Sequence, residues 1–312
     1  MEIKYAALIG LGAMGSFFAP RMEAYLGHEN FRVVAGGERK ERLETKGVTI
    51  NGVTYRFPVR SPEEEGRKAD LIIMAMKDMG LEQAIRDIKN LVGENTQILC
   101  VMNGIESEEK VAAAYGWEHT LYSYMRMSIV MKDGVANFDP YWGKVHFGEA
   151  ENKILSERVR AVQEFFAACD IPCETDEDMK RGIWFKYMCN VGENMTCALL
   201  GIPFGAFRTC GSANEIRRGA MREVMAIANK LGIGLSEKDI EQQEKTLLTI
   251  PYNNKPSTLQ DLEGKKKTEV ELFAGTVVRL GEKLGIPTPI SWMFYHGIKT
   301  YEEKNEGRFA PR

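Results

Sequence analysis

The hydrophobic positions of the chain follow two patterns, and the change between them falls past the middle of the sequence. The first part carries short continuous apolar runs, such as Lys4–Ile9 and Asp70–Ala75, which are typical of buried parallel strands. After residue 176 the apolar positions recur at helical spacing. The predicted helices are residues 177–199, 212–231, 236–247 and 268–284. We therefore expect an α/β domain over residues 1–174 and an all-helical domain over residues 175–312.

The first apolar run leads directly into a glycine-rich turn that opens a helix. Its residues are Gly10, Leu11, Gly12, Ala13, Met14 and Gly15. A helix over Ser16–Leu26 and a strand over Phe31–Ala35 follow, in the order of a dinucleotide-binding unit. There the first glycine allows a tight turn, the second lets a pyrophosphate approach, and the third lets helix pack on strand. We predict that this glycine turn binds a nicotinamide or flavin nucleotide; a tight turn without a ligand is the alternative.

Charged residues after the second strand bear on the choice between NAD and NADP. An acidic residue closing this strand binds ribose hydroxyls, whereas a nearby arginine accommodates a 2′-phosphate. Glu38 fits the first role, but Arg39, Lys40 and Arg42 form a basic cluster. We therefore favour NADP, contacted by Arg39. The alternative is that these charges are solvated at the start of a helix over residues 40–46.

Two polar residues follow buried strands at the sheet edge where open α/β folds bind their ligands. Lys77 follows the run that ends at Ala75, and Asn103 follows a strand over Gln97–Val101. We expect Lys77 to contact cofactor or substrate, and the Asn103 amide to hold the nicotinamide ribose or a substrate oxygen. The alternatives are an exposed lysine and an asparagine that merely forms a turn.

Other segments predict further local structure. The alternating segment Val48–Arg60 contains Asn51-Gly52, a dipeptide typical of tight hairpins. Strands over Val135–Phe138 and Val145–Gly148 are expected to extend the sheet. The stretch from Pro256 to Asp261 is expected to be irregular and polar.

The segment from residue 184 to residue 197 is apolar around most of a helix but carries one polar stripe. On a regular helix the residues of this stripe share one face. They are Lys186, Asn190, Glu193, Asn194 and Cys197. Because buried polar groups need partners, the stripe indicates either hydrogen bonds between helices or a substrate site. The sequence pattern leaves these two alternatives open.

The composition of the 312-residue chain excludes several classes of protein. Its 41 basic and 44 acidic residues nearly cancel, so no overall field attracts nucleic acid or an anionic membrane. The sequence shows neither a secretory signal nor a run of roughly 18 apolar residues, and we expect a cytoplasmic protein. The six cysteines and four histidines lack metal-ligand spacing, so no metal site is expected.

Together these features resemble the ketopantoate reductase (2-dehydropantoate 2-reductase) family over nearly the whole chain. The matching elements are GLGAMG at residues 10–15, Lys77, Asn103-Gly104, Trp184-Phe185-Lys186 with Asn190 and Asn194, Ser257 with Leu259-Gln260-Asp261, and Thr268-Glu269. The resemblance implies a Rossmann domain followed by a helical domain. It also implies NADPH-dependent reduction of the small 2-keto acid ketopantoate to pantoate, in pantothenate and coenzyme A biosynthesis.

The resemblance also implies roles for individual residues. Lys186 would be the catalytic general acid, Glu269 would help orient the substrate, and Lys77 would lie near the nicotinamide. The residues that would bind substrate are Asn103, Asn190, Asn194 and Ser257. Hydride delivery to a keto acid builds negative charge on the carbonyl oxygen, and a nearby ammonium group stabilises and protonates it.

Two positions depart from the family pattern. Gly36 stands where the family usually has an arginine, which leaves 2′-phosphate recognition to Arg39, Lys40 or Arg42. Phe204 replaces a further asparagine, which would suit a more apolar 2-keto acid. The alternatives are therefore an NAD(P)-dependent reductase of another branched 2-keto acid and a non-catalytic nucleotide-binding protein. The long apolar helices are compatible with a homodimer.

Overall fold

A parallel sheet with helices on both faces forms the first part of the chain, and helices alone form the second. The computed structural model describes residues 2–127, 129–132 and 134–309. The chain divides into two compact units, Met1–Lys180 and Arg181–Arg312, whereas the sequence pattern places the boundary after residue 174. The predicted fold class, an α/β Rossmann-type domain followed by an all-α domain, is confirmed.

The first unit contains the strands and the first five helices. The strands are β1 (Ala6–Ile9), β2 (Phe31–Val34), β3 (Val48–Ile50), β4 (Val53–Tyr55), β5 (Val59–Arg60), β6 (Leu71–Met74), β7 (Gln97–Cys100), β8 (Thr120–Arg126), β9 (Val130–Lys132), β10 (Val135–Asn137), β11 (Lys144–Gly148) and β12 (Cys173–Glu174). The helices are α1 (Ala13–Leu26), α2 (Gly37–Thr45), α3 (Leu81–Asp87), α4 (Ser107–Tyr115) and α5 (Glu157–Ala168).

The main sheet determines which loops lie side by side. Within the described residues it has eight strands in the order β12-β11-β8-β7-β6-β1-β2-β5. Neighbouring strands are parallel except for the antiparallel pair β8 and β11. The register places Ile9 beside Met74 and Met74 beside Cys100. The carboxyl ends of β1, β6 and β7 therefore share one edge of the sheet.

Strands β1 and β6 are apolar throughout because both faces of the sheet are covered. In β1, Ala6 and Leu8 pack into one hydrophobic core, whereas Ala7 and Ile9 pack into a second core on the opposite face. All four residues are buried. A strand covered on both faces gives a continuous apolar run rather than an alternating one.

A second sheet corrects one prediction. Asn51 and Gly52 have positive φ angles and connect the antiparallel strands β3 and β4, which confirms the predicted hairpin. The expectation that Val135–Phe138 extends the main sheet is wrong. Strand β10 pairs instead with β3 and β9, because the backbone oxygens of Gly134 and Ala136 accept hydrogen bonds from the N–H groups of Thr49 and Asn51 along the other edge of β3. Strand β11 does extend the main sheet, as predicted.

The remaining elements are helical. They are α6 (Met179–Cys189), a first π turn (Asn190–Asn194), α7 (Met195–Leu200), a 3-10 turn (Phe204–Arg208), α8 (Gly211–Lys230), α9 (Glu237–Leu247), α10 (Ser257–Glu263), a second π turn (Glu271–Gly275), α11 (Thr276–Leu284) and α12 (Pro289–Asn305). The prediction of an irregular segment after Pro256 is wrong, because Ser257 begins α10. In the described part of the chain, no helix combines the length and the apolar character needed to cross a membrane.

A buried carboxylate from another helix fixes the start of α12. Glu223 on α8 accepts hydrogen bonds from the backbone N–H groups of Ile290 and Ser291 at 2.8 and 2.9 Å, and from the Ser291 hydroxyl at 2.6 Å. Negative charge is favourable at a helix amino terminus, where N–H groups lack partners within the helix. This cap lies 67 residues away from Ile290 in the sequence.

Candidate active site

Each glycine of the glycine turn (residues 10–15) has a different steric environment. Gly10 has φ +98°, and a Cβ there would lie 2.6 Å from the carbonyl carbon of Ala75. A Cβ on Gly15 would overlap the carbonyl oxygen of Gly10. No described atom lies within 4 Å of the position that a Cβ would take on Gly12. Two glycines therefore allow close packing, and the third leaves open space next to the backbone.

Helix α1 begins in this open space. Gly12 is its first flanking residue, and among the described residues no side chain caps the helix there. The N–H groups of the first turn are therefore available to an anion. Leu11 is buried in the core, whereas Ala13 and Met14 are half-buried. The turn has the geometry that a pyrophosphate requires, which is an uncapped helix amino terminus with unobstructed backbone.

Lys77 and Asn103 follow neighbouring strands at the same edge of the sheet. The Ala75 N–H donates to the backbone oxygen of Ile9 at 2.8 Å, and the Val101 N–H donates to that of Met74 at 3.0 Å. The segments that follow β6 and β7 therefore continue side by side with the end of β1. Lys77 is exposed and Asn103 is half-buried. The fold therefore brings both side chains to the edge that carries the glycine turn.

The basic cluster lies on α2, which begins at Gly37 and not near residue 40 as predicted. Lys40 donates to the Ser61 hydroxyl at 3.0 Å and lies 3.8 Å from Glu44. The exposed Arg39 side chain forms no hydrogen bond or ion pair with any described residue. Partial desolvation, and to a smaller extent the charge of Arg42, lower the pKa of the Arg39 guanidinium. Its donors remain available to an anion.

The polar stripe lies on a continuous helical run from Met179 to Leu200, which is interrupted by the first π turn. Lys186 and Asn190 are half-buried, and Asn194 is buried. The predicted stripe of five residues was drawn on a regular α-helix. Because a π turn interrupts the run, the residues that share one face must be assigned again. Turns of π-helix occur frequently at functional sites.

The π turn changes which residues face the same way. An α-helix advances about 100° per residue, which would place Asn194 about 80° around the axis from Lys186. A π turn advances only about 80° per residue, which returns Asn194 to within roughly 20° of Lys186. The same change moves Glu193 about 60° further from Lys186. The run therefore aligns Lys186, Asn190 and Asn194 and removes Glu193 from the stripe.

The contacts of Glu193 agree with this rotation. Its carboxylate accepts a hydrogen bond from Gln243 at 3.1 Å and lies 3.9 Å from Arg217. Cys197 is fully buried, and burial raises the pKa of its thiol well above the usual range. Both residues therefore take part in packing between helices, which is the first of the two alternatives for the polar stripe.

Glu269 lies immediately before the second π turn. It is half-buried, and its backbone oxygen accepts a hydrogen bond from Phe273 at 3.0 Å. The preceding residue, Thr268, donates both its backbone N–H and its hydroxyl to the buried carboxylate of Glu302, at 2.8 and 2.7 Å. Glu302 therefore holds the segment that carries Glu269. No sequence signal marks Glu302 for this role, because it lies 34 positions away from Thr268, on α12.

Tyr187 connects helix α6 to the second π turn within the helical unit. Its buried hydroxyl donates to the backbone oxygens of Phe273 and Leu272, at 2.6 and 3.2 Å. The residue next to Lys186 thus binds the backbone that follows Glu269. No local signal in the sequence marks the hydrogen bonds of the Tyr187 hydroxyl.

The other predicted substrate positions lie in short elements of the helical unit. Ser257 is exposed at the start of α10, which packs against α7 and the first π turn. Phe204 begins the 3-10 turn and donates its N–H to Asn254 at 2.9 Å. The next residue, Gly205, packs against the ring of Tyr252, where a Cβ would overlap. Aromatic side chains therefore occupy the segment where a polar residue was expected from the family pattern.

Comparison with known proteins gives consistent matches. Residues 6–152 match the family model of ketopantoate reductase PanE/ApbA, and residues 178–302 match the model of its C-terminal part. The 2-dehydropantoate 2-reductase of Aquifex aeolicus is 26% identical over 305 residues, which are 95% of this chain and 96% of that protein. The enzyme of the same name from Streptococcus pyogenes serotype M1 is 27% identical over 258 residues, which are 79% of this chain and 81% of that protein.

A solved structure shares the fold over the same extent. The ternary complex of D-mandelate dehydrogenase with NADH and anilino(oxo)acetate has a TM-score of 0.85 and 21% sequence identity. The superposition covers 96% of this chain and 99% of that one.

Proposed function

Because the chain belongs to the ketopantoate reductase family, we propose that it reduces 2-dehydropantoate to pantoate with a nicotinamide nucleotide as hydride donor. One observation carries this proposal, namely the π turn at Asn190–Asn194. By the geometry of such a turn, Asn190 and Asn194 share a side of the helical run with Lys186. In this proposal residues 1–174 bind the nucleotide and residues 175–312 supply the substrate-binding side chains and the acid.

The residues of the helical unit account for the acid chemistry. A bound nicotinamide nucleotide supplies the hydride. As negative charge develops on the former carbonyl oxygen, the Lys186 ammonium stabilises it and then donates a proton to it. Asn190 and Asn194 hold the carboxylate and hydroxyl of the substrate without a competing charge. Glu269 and Ser257 orient the substrate from their own segments.

Binding of the nucleotide falls to the first unit. The glycine turn offers uncapped N–H groups for the pyrophosphate, and Lys77 and Asn103 lie at the same sheet edge for the nicotinamide end. We propose NADPH as the preferred donor, with Arg39 on its 2′-phosphate. The Arg39 guanidinium supports this choice because it forms no hydrogen bond or ion pair with any described residue. Glycine at position 36 should make the preference for NADPH over NADH weaker than an arginine there would.

The proposal is tested by following oxidation of NADPH and of NADH in the presence of 2-dehydropantoate. Lys186→Ala should lower kcat by roughly 10²- to 10⁴-fold and leave NADPH affinity unchanged, because only the proton donor is lost. Lys238→Ala, which changes an exposed lysine on α9, is the matched control. Near-normal turnover by Lys186→Ala would contradict the assignment of the acid. NADPH binding without turnover of any keto acid would favour a non-catalytic protein.

A second candidate substrate class is favoured by Phe204. A phenyl ring in place of an amide suits a 2-keto acid with a larger apolar side chain. A panel of branched and aromatic 2-keto acids distinguishes the two classes through kcat/KM. If the apolar acids are better substrates, Phe204→Asn should shift the preference toward 2-dehydropantoate.

The proposal also includes a cytoplasmic enzyme that forms a homodimer. Light scattering of the purified chain measures the oligomeric state, and cell fractionation measures the location. A monomer at micromolar concentration would contradict the first part of this expectation.

A further inference from the structure

A fully buried arginine lies behind the first π turn. The side chain of Arg217 on α8 has no exposed surface. It donates to Glu244 at 2.8 Å and to Asn214 at 3.2 Å, and its Nη1 lies 3.9 Å from Oε1 of Glu193. A guanidinium in the interior requires paired charges, and removal of one partner is costly. One of its two carboxylates belongs to the π turn itself.

Glu193 connects the first π turn to two other helices. Its side chain is buried between Arg217 on α8 and Gln243 on α9, whose amide donates to Oε2 at 3.1 Å. Glu193 occupies this position because the π turn rotates it away from the face of Lys186. A regular α-helical turn would direct its carboxylate elsewhere.

Helix α8 also packs directly on the backbone of the π turn. A Cβ on Gly192 would overlap the side chain of Met221 and would lie 3.0 Å from the carbonyl oxygen of Arg217. The Thr196 hydroxyl donates a hydrogen bond to the backbone oxygen of Gly192 at 2.6 Å. Contacts through both backbone and side chains therefore surround the turn and resist a change in its register.

We propose that Glu193 and Arg217 are positioning residues, whose buried ion pair holds the first π turn in the register that aligns Asn194 with Lys186. This inference rests on the proposed function. If the turn relaxed to an α-helix, Asn194 would rotate by about 80° relative to Lys186. The amide would then no longer share the substrate with the ammonium, although neither Glu193 nor Arg217 contacts the substrate.

The test compares substitutions of the two carboxylates that pair with Arg217. Glu193→Gln removes the charge but keeps an acceptor for Gln243, and Glu193→Ala removes both. Misplacement of reacting groups by about 1 Å costs up to roughly 100-fold in rate. We expect kcat with the keto acid to fall roughly 10-fold for the Gln variant and roughly 100-fold for the Ala variant. The Kd for NADPH should stay within about twofold of wild type.

Glu244→Gln and Glu244→Ala are the matched controls. They also deprive Arg217 of a carboxylate, but Glu244 lies on α9 and, among the described residues, forms hydrogen bonds and ion pairs with Arg217 and Arg218 rather than with the π turn. They should lower the Tm to a similar extent and leave kcat within about twofold of wild type. If the Glu244 variants lower kcat as much as the Glu193 variants at the same loss of Tm, the inference is wrong and the pair is only structural.

Hydrogen exchange separates this inference from the function on which it rests. Backbone N–H groups of residues 190–195 should exchange faster in the Glu193 variants than in the Glu244 variants, whether or not the wild type reduces any keto acid. Absence of turnover by the wild type would contradict the proposed function alone. Unchanged exchange at these residues in Glu193→Ala would overturn the inference alone.

Discussion

The glycine turn takes its shape from residues close to it in the sequence and from one neighbouring strand, whereas the polar helical run takes its shape from distant helices. In the glycine turn, positive φ at Gly10 and close packing at Gly15 define the backbone. In the helical run, Glu193 of the first π turn contacts α8 and α9, and Tyr187 on α6 donates a hydrogen bond to the second π turn. The geometry of the glycine turn is thus encoded locally, and the geometry of the helical run is encoded over long range. Substitutions in the two regions should therefore have different effects on stability, nucleotide binding and kcat.

The largest effect is expected at the glycine turn. Gly10→Ala places a methyl group 2.6 Å from the backbone of Ala75 at a positive φ, which should destabilise the protein by about 3 kcal/mol or more. Gly12→Ala is the matched variant, because no described atom lies within 4 Å of its Cβ. It should retain the wild-type Tm but bind NADPH more weakly. Thermal unfolding and nucleotide titration measure the two effects, and equal Tm values for both variants would contradict the local account.

A smaller effect is expected at the hydrogen bonds that Tyr187 on α6 donates to the second π turn. Tyr187→Phe removes a buried hydroxyl that satisfies two backbone oxygens, which should cost about 1–3 kcal/mol and lower kcat. Tyr295→Phe is the control, since its hydroxyl donates to the exposed Glu271 of the same π turn at 2.9 Å. Its stability should change by no more than about 0.5 kcal/mol. Urea denaturation and steady-state kinetics test the pair of variants. Wild-type stability and kcat in Tyr187→Phe would show that α6 and the second π turn act independently.

The third prediction concerns cofactor choice and uses the open surroundings of Gly36. This residue has φ −117°, which any side chain adopts, and its Cβ would lie 3.5 Å from Pro62, an ordinary contact. Gly36→Arg should therefore fold normally and raise the preference for NADPH over NADH about tenfold, or about 1.4 kcal/mol. Gly36→Ala, which adds bulk without charge, should leave the ratio of kcat/KM values unchanged. A ratio that moves equally in both variants would exclude a charge effect.

The smallest effect is expected from pH at Glu302. Burial alone would raise the pKa of this carboxyl, but hydrogen bonds from Thr268 and Lys267 lower it overall. Its contribution to stability is therefore present above the unfolded pKa of about 4.3 and is lost as the pH falls through the lower folded value. Glu302→Gln should cost about 1 kcal/mol at neutral pH, because an acceptor oxygen remains.

Unfolding of this variant across acid pH provides the check. The difference in Tm between wild type and Glu302→Gln should shrink as the medium becomes acidic. Glu303→Gln, at a neighbouring position on the same helix, should show no such convergence. A constant difference across pH would show that the charge of Glu302 does not contribute.

Local signals allowed much of the first unit to be predicted from the sequence. Gly10, Gly12 and Gly15 stand between a strand and a helix, and the Asn51-Gly52 pair has only one common use between short strands. The pairing of β10 with β3 could not be predicted, because an open strand edge carries no sequence label that names its partner.

The candidate acid site was less accessible to sequence analysis. Spacing placed Lys186, Asn190 and Asn194 on one face together with Glu193, which faces Arg217 instead. Only the family resemblance singled out the first three. An i→i+5 turn has no characteristic residue pattern, so the π turn at Asn190–Asn194 is seen in the folded backbone and not in the sequence. The supporting residue Glu302 acts across 34 positions, a distance at which periodicity carries no information.

The cap on α12 has a consequence for synthesis of the chain. Glu223 leaves the ribosome well before Ile290 and Ser291, the residues whose N–H groups its carboxylate accepts. Until then α8 carries a charge that cannot be buried at low cost. Every strand of the main sheet, by contrast, has been translated once residue 174 has emerged. We expect the nascent chain to complete its sheet early and its helical unit only as the last helix appears, which makes truncations before residue 290 aggregation-prone.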